Sequence, residues 1–152
     1  MKISVRGQND RLSKREIRYM TSFFGNILLG NRLAKNVNVT LYNENYAWNE
    51  MGFCNPIDFD ERSPRDFEIL LNRNMIREEQ IATIAHEMVH VRQFALNEIK
   101  VYDNNEYRWL GQKVRYPRKK HHNLPWEKEA IRSEYWLCSF YKQHCENNGL
   151  KW

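Results

Sequence analysis

His86-Glu87-Met88-Val89-His90 has the form H-E-x-x-H. Its two histidines are four positions apart, and on a helix such residues lie on one face, one turn above the other. At a rise of ~1.5 Å per residue their Cα atoms stand ~6 Å apart. Two imidazoles at that spacing can reach one zinc ion at ~2.0–2.1 Å each. Glu87 projects about 100° round the helix from His86. It therefore approaches water beside a metal without binding the metal, which suits a general base.

The surrounding sequence supports a helix. There is no Pro or Gly from position 77 to 97, and Glu78 and Glu79 sit in the first turn, where the helix dipole favours acidic residues. Ile81, Ile84, Ala85, Met88, Val91 and Ala95 follow 3-4 spacing, which predicts one apolar stripe. Outward from this helix, 2–6 (KISVR) and 37–42 (VNVTLY) alternate as strands. Between them Asp10 or Ser13 opens a helix, with Ser13-Lys14-Arg15-Glu16 fitting a capping box, that runs to about Leu29 and stops at Gly30-Asn31. Asn43-Glu44-Asn45 reads as a turn, 47–55 as an irregular strand ending at Pro56, and 58–65 as a polar loop. The run 67–72 (FEILLN) is a strand placed to take an extended peptide by strand addition. Beyond the motif come a short strand at 98–101 and a strand or hairpin around Gly111. A last helix spans about 126–147, entered by Leu124-Pro125 and closed by Asn148-Gly149.

Composition bounds the class. A chain of 152 residues, 41% apolar and 28% charged, predicts one globular α+β domain over 1–152. In that domain an N-terminal helix and a short mixed sheet pack on the H-E-x-x-H helix. Cys54, Cys138 and Cys145 make no disulfide framework and predict reduced thiols in a cytoplasm. The N-terminus MKISVRGQND carries no apolar signal region, and no run of 18 apolar residues predicts a membrane span. The net charge of +5 leaves room for an acidic partner, nucleic acid included.

A catalytic zinc site needs a third protein ligand and an open position. The candidates lie downstream: His121, His122, Glu127, Glu129, Glu134 and His144. Glu127 and Glu129 in Pro125-Trp126-Glu127-Lys128-Glu129-Ala130 are about 200° apart round a helix, so only one can face the metal. Glu129 is favoured, because Ala130 next to it allows close packing on the motif helix. Glu127 is the alternative, and His121 or His122 would give a three-histidine site.

HEMVH followed some forty residues later by PWEKEA resembles a small gluzincin-type zincin, in which H-E-x-x-H is completed by a Glu on a following helix. The layout of RWLGQKV followed by PWEKEA is similar to that of compact metallopeptidase-like proteins of bacteriophages, loosely related to the SprT-like and ImmA/IrrE-like groups. The resemblance covers about 67–137. RKKHH at 118–122 lengthens the spacer before PWEKEA. The resemblance implies a zincin-like fold whose C-terminal helix supplies the third ligand. It also implies one Zn²⁺ held by His86, His90 and Glu129, with Glu87 as base.

The expected activity is zinc-dependent hydrolysis of peptide bonds in an intracellular protein substrate, by an endopeptidase rather than an exopeptidase, in a bacterial or phage-infected cytoplasm. Tyr116, His121, His122 and Tyr135 are candidates to steady the oxyanion or contact substrate. The competing expectation is a zinc-stabilised module that does no chemistry. It would contact DNA or a host protein through the loop at 115–122, where Arg115, Arg118, Lys119 and Lys120 form a basic patch.

Overall fold

A computed structural model describes residues 1–45, 51–58, 63–102, 106–115 and 121–152, without the side chain of His121. The fold is α+β, as expected. Strand β1 (Lys2–Arg6) leads to helix α1 (Lys14–Ala34), strands β2 (Asn38–Glu44), β3 (Gly52–Pro56) and β4 (Asp66–Asn72), and helix α2 (Arg77–Ala95). Three short strands follow: β5 (Ile99–Val101), β6 (Tyr107–Trp109) and β7 (Gln112–Val114). A 3-10 turn (His121–Asn123) then precedes helix α3 (Pro125–Asn147).

The main sheet has the order β1-β2-β4-β3. β1 and β4 both run parallel to β2, and β3 runs antiparallel to β4 at the edge. β2 extends through Asn43 and Glu44, which pair with Leu71 and Asn72, so these two residues of the predicted turn at 43–45 are strand. β4, the strand expected to take a peptide, is paired on both sides and offers no open edge. Among the described residues, β3 pairs on one side only. Asp58, in the predicted polar loop, accepts from the backbone N–H groups of Arg65 and Asp66 and so clasps the way into β4.

Local chemistry explains the helix ends. Ser13 and Glu16 form the capping box, with the Ser13 hydroxyl accepting from Glu16 N–H at 3.2 Å and the Glu16 carboxylate accepting from Ser13 N–H at 2.8 Å. α1 breaks at Gly30, whose φ of 69° and ψ of 157° no helical residue adopts. The predicted stop is thus a kink followed by one more turn. α2 ends at Ala95 and turns through Asn97 at φ 62°, a conformation asparagine tolerates. β6 and β7 form the hairpin expected around Gly111, with Leu110 and Gly111 both at positive φ (49° and 83°).

α2 is the centre of the molecule. It packs against α1, α3, β3, β4 and β5. The sequence predicts one apolar stripe, but burial runs most of the way round. Ile81, Ile84, Ala85, Met88, Val89, Val91 and Ala95 are buried, and so are the polar Gln80, Thr83, Glu87, His90 and Gln93. A helix enclosed on several sides needs internal partners for its polar groups. Phe24 from α1, Leu41 from β2, Phe67, Ile69 and Leu71 from β4, and Leu137 from α3 complete the main core. A smaller cluster of Ile99, Leu124 and Trp126, flanked by Tyr107, Trp109 and Val114, seats the start of α3 on the hairpin.

Candidate metal centre

His86 and His90 lie one turn apart on α2, with ring centroids 4.9 Å apart and Nε2 atoms 3.2 Å apart. The first turn of α3 brings up a carboxylate. Glu127 Oε2 is 3.4 Å from His86 Nε2, and its Oε1 is 3.5 Å from His90 Nε2. These three residues form the one group among the described residues able to hold a metal, their donor atoms all within 4.8 Å of one another. The spacing fits. A tetrahedron with bonds of ~2.0–2.1 Å has edges of about 3.3–3.4 Å. The two Nε2 atoms are 3.2 Å apart, and each has a Glu127 oxygen at 3.4–3.5 Å, a different one for each histidine.

Glu127, the alternative in sequence, is therefore the carboxylate at the histidines, and Glu129 is not. The physical reason is the helix repeat. Ala130 does pack into the core, as anticipated. But residues sharing a helix face are three and four apart, so Ala130 brings Glu127 with it and turns Glu129 aside. Glu129 is taken by other donors: Arg92 Nη2 reaches both its oxygens at 3.0 Å, and Gln93 Nε2 reaches Oε2 at 2.8 Å. Trp126 fixes this rotation of α3 by stacking on Tyr107, with ring centroids 5.8 Å apart.

Each histidine has a second partner at Nδ1. His86 Nδ1 lies 3.1 Å from Glu134 Oε2, and His90 Nδ1 lies 2.7 Å from Gln93 Oε1. Outer partners of this kind orient ligating imidazoles. Glu134, a ligand candidate in the sequence, thus meets the outer nitrogen of His86, while Gln93 is not among the sequence candidates, although its signal is present. Gln93 is one turn after His90 on the same helix, and Glu134 is two turns after Glu127.

Burial alone would lower the His86 pKa. The hydrogen bonds to Glu127 and Glu134 outweigh it, helped by the charges of Glu87 and Glu127, and lift it to about 10. Glu87 is buried, and that burial raises its carboxyl pKa. The charges of His90 and His86 pull it down, Glu127 and Glu134 push it up, and the net shift is upward. Above Glu87 runs β3. A Cβ built on Gly52 would stand 3.2 Å from Glu87 Oε1 and 2.5 Å from Thr83 Cγ2, so the strand crosses α2 with no room to spare.

The remaining candidates stand apart. Tyr135 is 83% exposed on α3, and His122 is exposed beside its N-terminus. Arg115 is also exposed. Tyr116, Arg118, Lys119, Lys120 and the His121 side chain lie outside the described residues. Cys54, on β3, has a buried thiol whose pKa burial and the nearby Glu87 push well up, and it is not part of the histidine group. No helix among the described residues is long and apolar enough to cross a membrane. Comparison with protein-family models, with curated proteins and with solved structures finds no match to this chain.

Proposed function

We propose that the chain is a zinc-dependent endopeptidase of gluzincin type, acting on extended protein segments. The observation that carries this is the position of Glu87. Its buried carboxylate lies between a two-histidine, one-carboxylate donor set and an edge strand.

His86, His90 and Glu127 would hold the ion, which supplies Lewis-acid polarisation of a carbonyl and a lowered pKa for water. The chain's own groups do the rest. Glu87 has a raised pKa and a dry environment, which make a carboxylate a stronger base near neutral pH. It takes a proton from the attacking water and returns it to the leaving amine.

β3 gives the substrate a track. Met51 C=O accepts from Asn72 N–H at 3.0 Å, and Ile57 N–H donates to Asp66 C=O at 2.8 Å, both towards β4. By the alternation of an antiparallel ladder, the main-chain groups of Gly52 and Cys54 then point the other way. A substrate in extended form pairs with them and passes beside Glu87. The backbone contacts tolerate many sequences. Specificity then comes from side-chain pockets, and Phe53, which is exposed on β3, is one wall of them.

The test compares the wild-type protein with Glu87→Gln. Both are assayed for bound zinc and for cleavage of a broad denatured-protein and peptide library. Zinc in both, with cleavage by the wild type alone, is the expected result. A fall of about 10²- to 10⁴-fold or more in rate is what loss of a general base produces. Equal zinc and no cleavage by either protein would instead favour a metal-stabilised binding module.

A further inference from the structure

We propose that Gln93 is a positioning residue that locks His90 into a single tautomer before any metal arrives. The inference rests on the metal-site reading above, and deepens it.

An amide side chain has two ends, and its neighbours decide which is which. Gln93 is fully buried. One end of its amide faces two acceptors, the Trp126 carbonyl at 3.0 Å and Glu129 Oε2 at 2.8 Å. Neither can donate: one is a backbone carbonyl and the other a carboxylate already receiving Arg92. That end must be the NH₂, which donates one hydrogen to each. The other end is the carbonyl oxygen, 2.7 Å from His90 Nδ1. An amide oxygen only accepts, so His90 must carry its proton on Nδ1. The lone pair of the neutral ring is then on Nε2, the atom that faces His86 and Glu127.

The lock extends past Gln93. Arg92 Nη2 binds Glu129 and is itself held by Glu98. Arg92, Glu129, Gln93 and His90 form one directed chain of donors and acceptors, and turning the Gln93 amide over would set its oxygen against the Trp126 carbonyl and the Glu129 carboxylate. Glu129 thus belongs to the metal centre without touching the metal. His86 is held differently. Its Nδ1 faces Glu134, a carboxylate with a third of its side-chain surface exposed and, among the described residues, no comparable chain behind it.

The experiment uses the whole chain, wild type and two variants. Gln93→Met keeps the side-chain length and removes the amide. Glu129→Ala removes the acceptor at a position with a third of its side-chain surface exposed, outside the main core. Two readouts are taken. Long-range ¹H–¹⁵N spectra of the metal-free proteins report the His90 tautomer, and competition with a chromophoric chelator reports zinc affinity. The wild type is expected to show His90 with its proton on Nδ1. Gln93→Met should show mixed tautomers and bind zinc about 10- to 100-fold more weakly. Glu129→Ala should shift both readouts the same way by less, and it carries the test alone if Gln93→Met does not fold. Wild-type tautomer and affinity in the folded variants would overturn the proposal. A wild type that binds no zinc would sink the metal reading, and the tautomer spectra would still decide this one.

Discussion

Moving a carboxylate two positions along a helix swings it by about 200°, and at the start of α3 that swing separates two roles. Glu127 faces the histidines and Glu129 faces Arg92 and Gln93. Glu127→Ala should therefore cost more zinc affinity than the roughly 10- to 100-fold typical of losing an outer partner. Glu129→Ala should cost less than Glu127→Ala. Metal content after dialysis against a weak chelator ranks the two. His86 gives a pH prediction for the metal-free protein. Its folded pKa of about 10 lies above the ordinary 6.5, so the charged ring stabilises the fold. That contribution is complete below pH 6.5 and is lost as pH rises towards 10. The thermal midpoint of the metal-free protein should fall across this window by more than that of His86→Asn, and with zinc bound the difference should vanish. The histidines and Glu87 were legible in the sequence because their spacing alone places them. The carboxylate was legible only as a pair. Choosing between its members needed the face of α3 on which Ala130, Ser133 and Leu137 are buried, and that face contains Glu127.

At the scale of elements, the lesson concerns edges. The strand 67–72 is recognisable from its sequence, but its interior place comes from pairing with β2 and β3, with Phe67, Ile69 and Leu71 buried and the alternate Asp66, Glu68 and Leu70 half-buried. The less regular β3, with its glycine and proline, is an edge strand among the described residues, as is β1. Alternation reveals strands, whereas edge position depends on non-local pairing. The apolar stripe of α2 is buried as its spacing predicts, and Gln80, Thr83, Glu87 and Gln93 are buried too without being apolar, because neighbours enclose the helix on its other faces. Gly52 provides the test at this scale. An alanine there puts a methyl carbon 2.5 Å from Thr83 Cγ2 and 3.0 Å from Leu70 O, so β3 or α2 must give way. Gly52→Ala should destabilise the fold by about 1–3 kcal/mol, as overpacking does. It should also suppress cleavage while zinc content stays at the wild-type level. Chemical denaturation and the cleavage assay measure the two effects separately.

For the molecule as a whole, the donor set joins two helices, with α2 supplying both histidines and α3 the carboxylate. A ligand that binds only the folded chain adds RT ln(1 + [L]/Kd), about 2.7 kcal/mol at 100 times Kd. Zinc should accordingly raise the thermal midpoint of the wild type and leave that of a His86→Ala, His90→Ala double variant unmoved, as calorimetry with and without the ion would show. The two helices are not anchored alike. α2 is enclosed by its neighbours, whereas the first turn of α3 has no side-chain cap on its backbone and is seated by Trp126 on the small hairpin cluster. Amide hydrogens in the middle of α2 should then exchange with solvent only on global unfolding, and those at the head of α3 through local opening. The site would come apart from its carboxylate side first, and the lifetime of a bound ion would be set by how often that first turn frays.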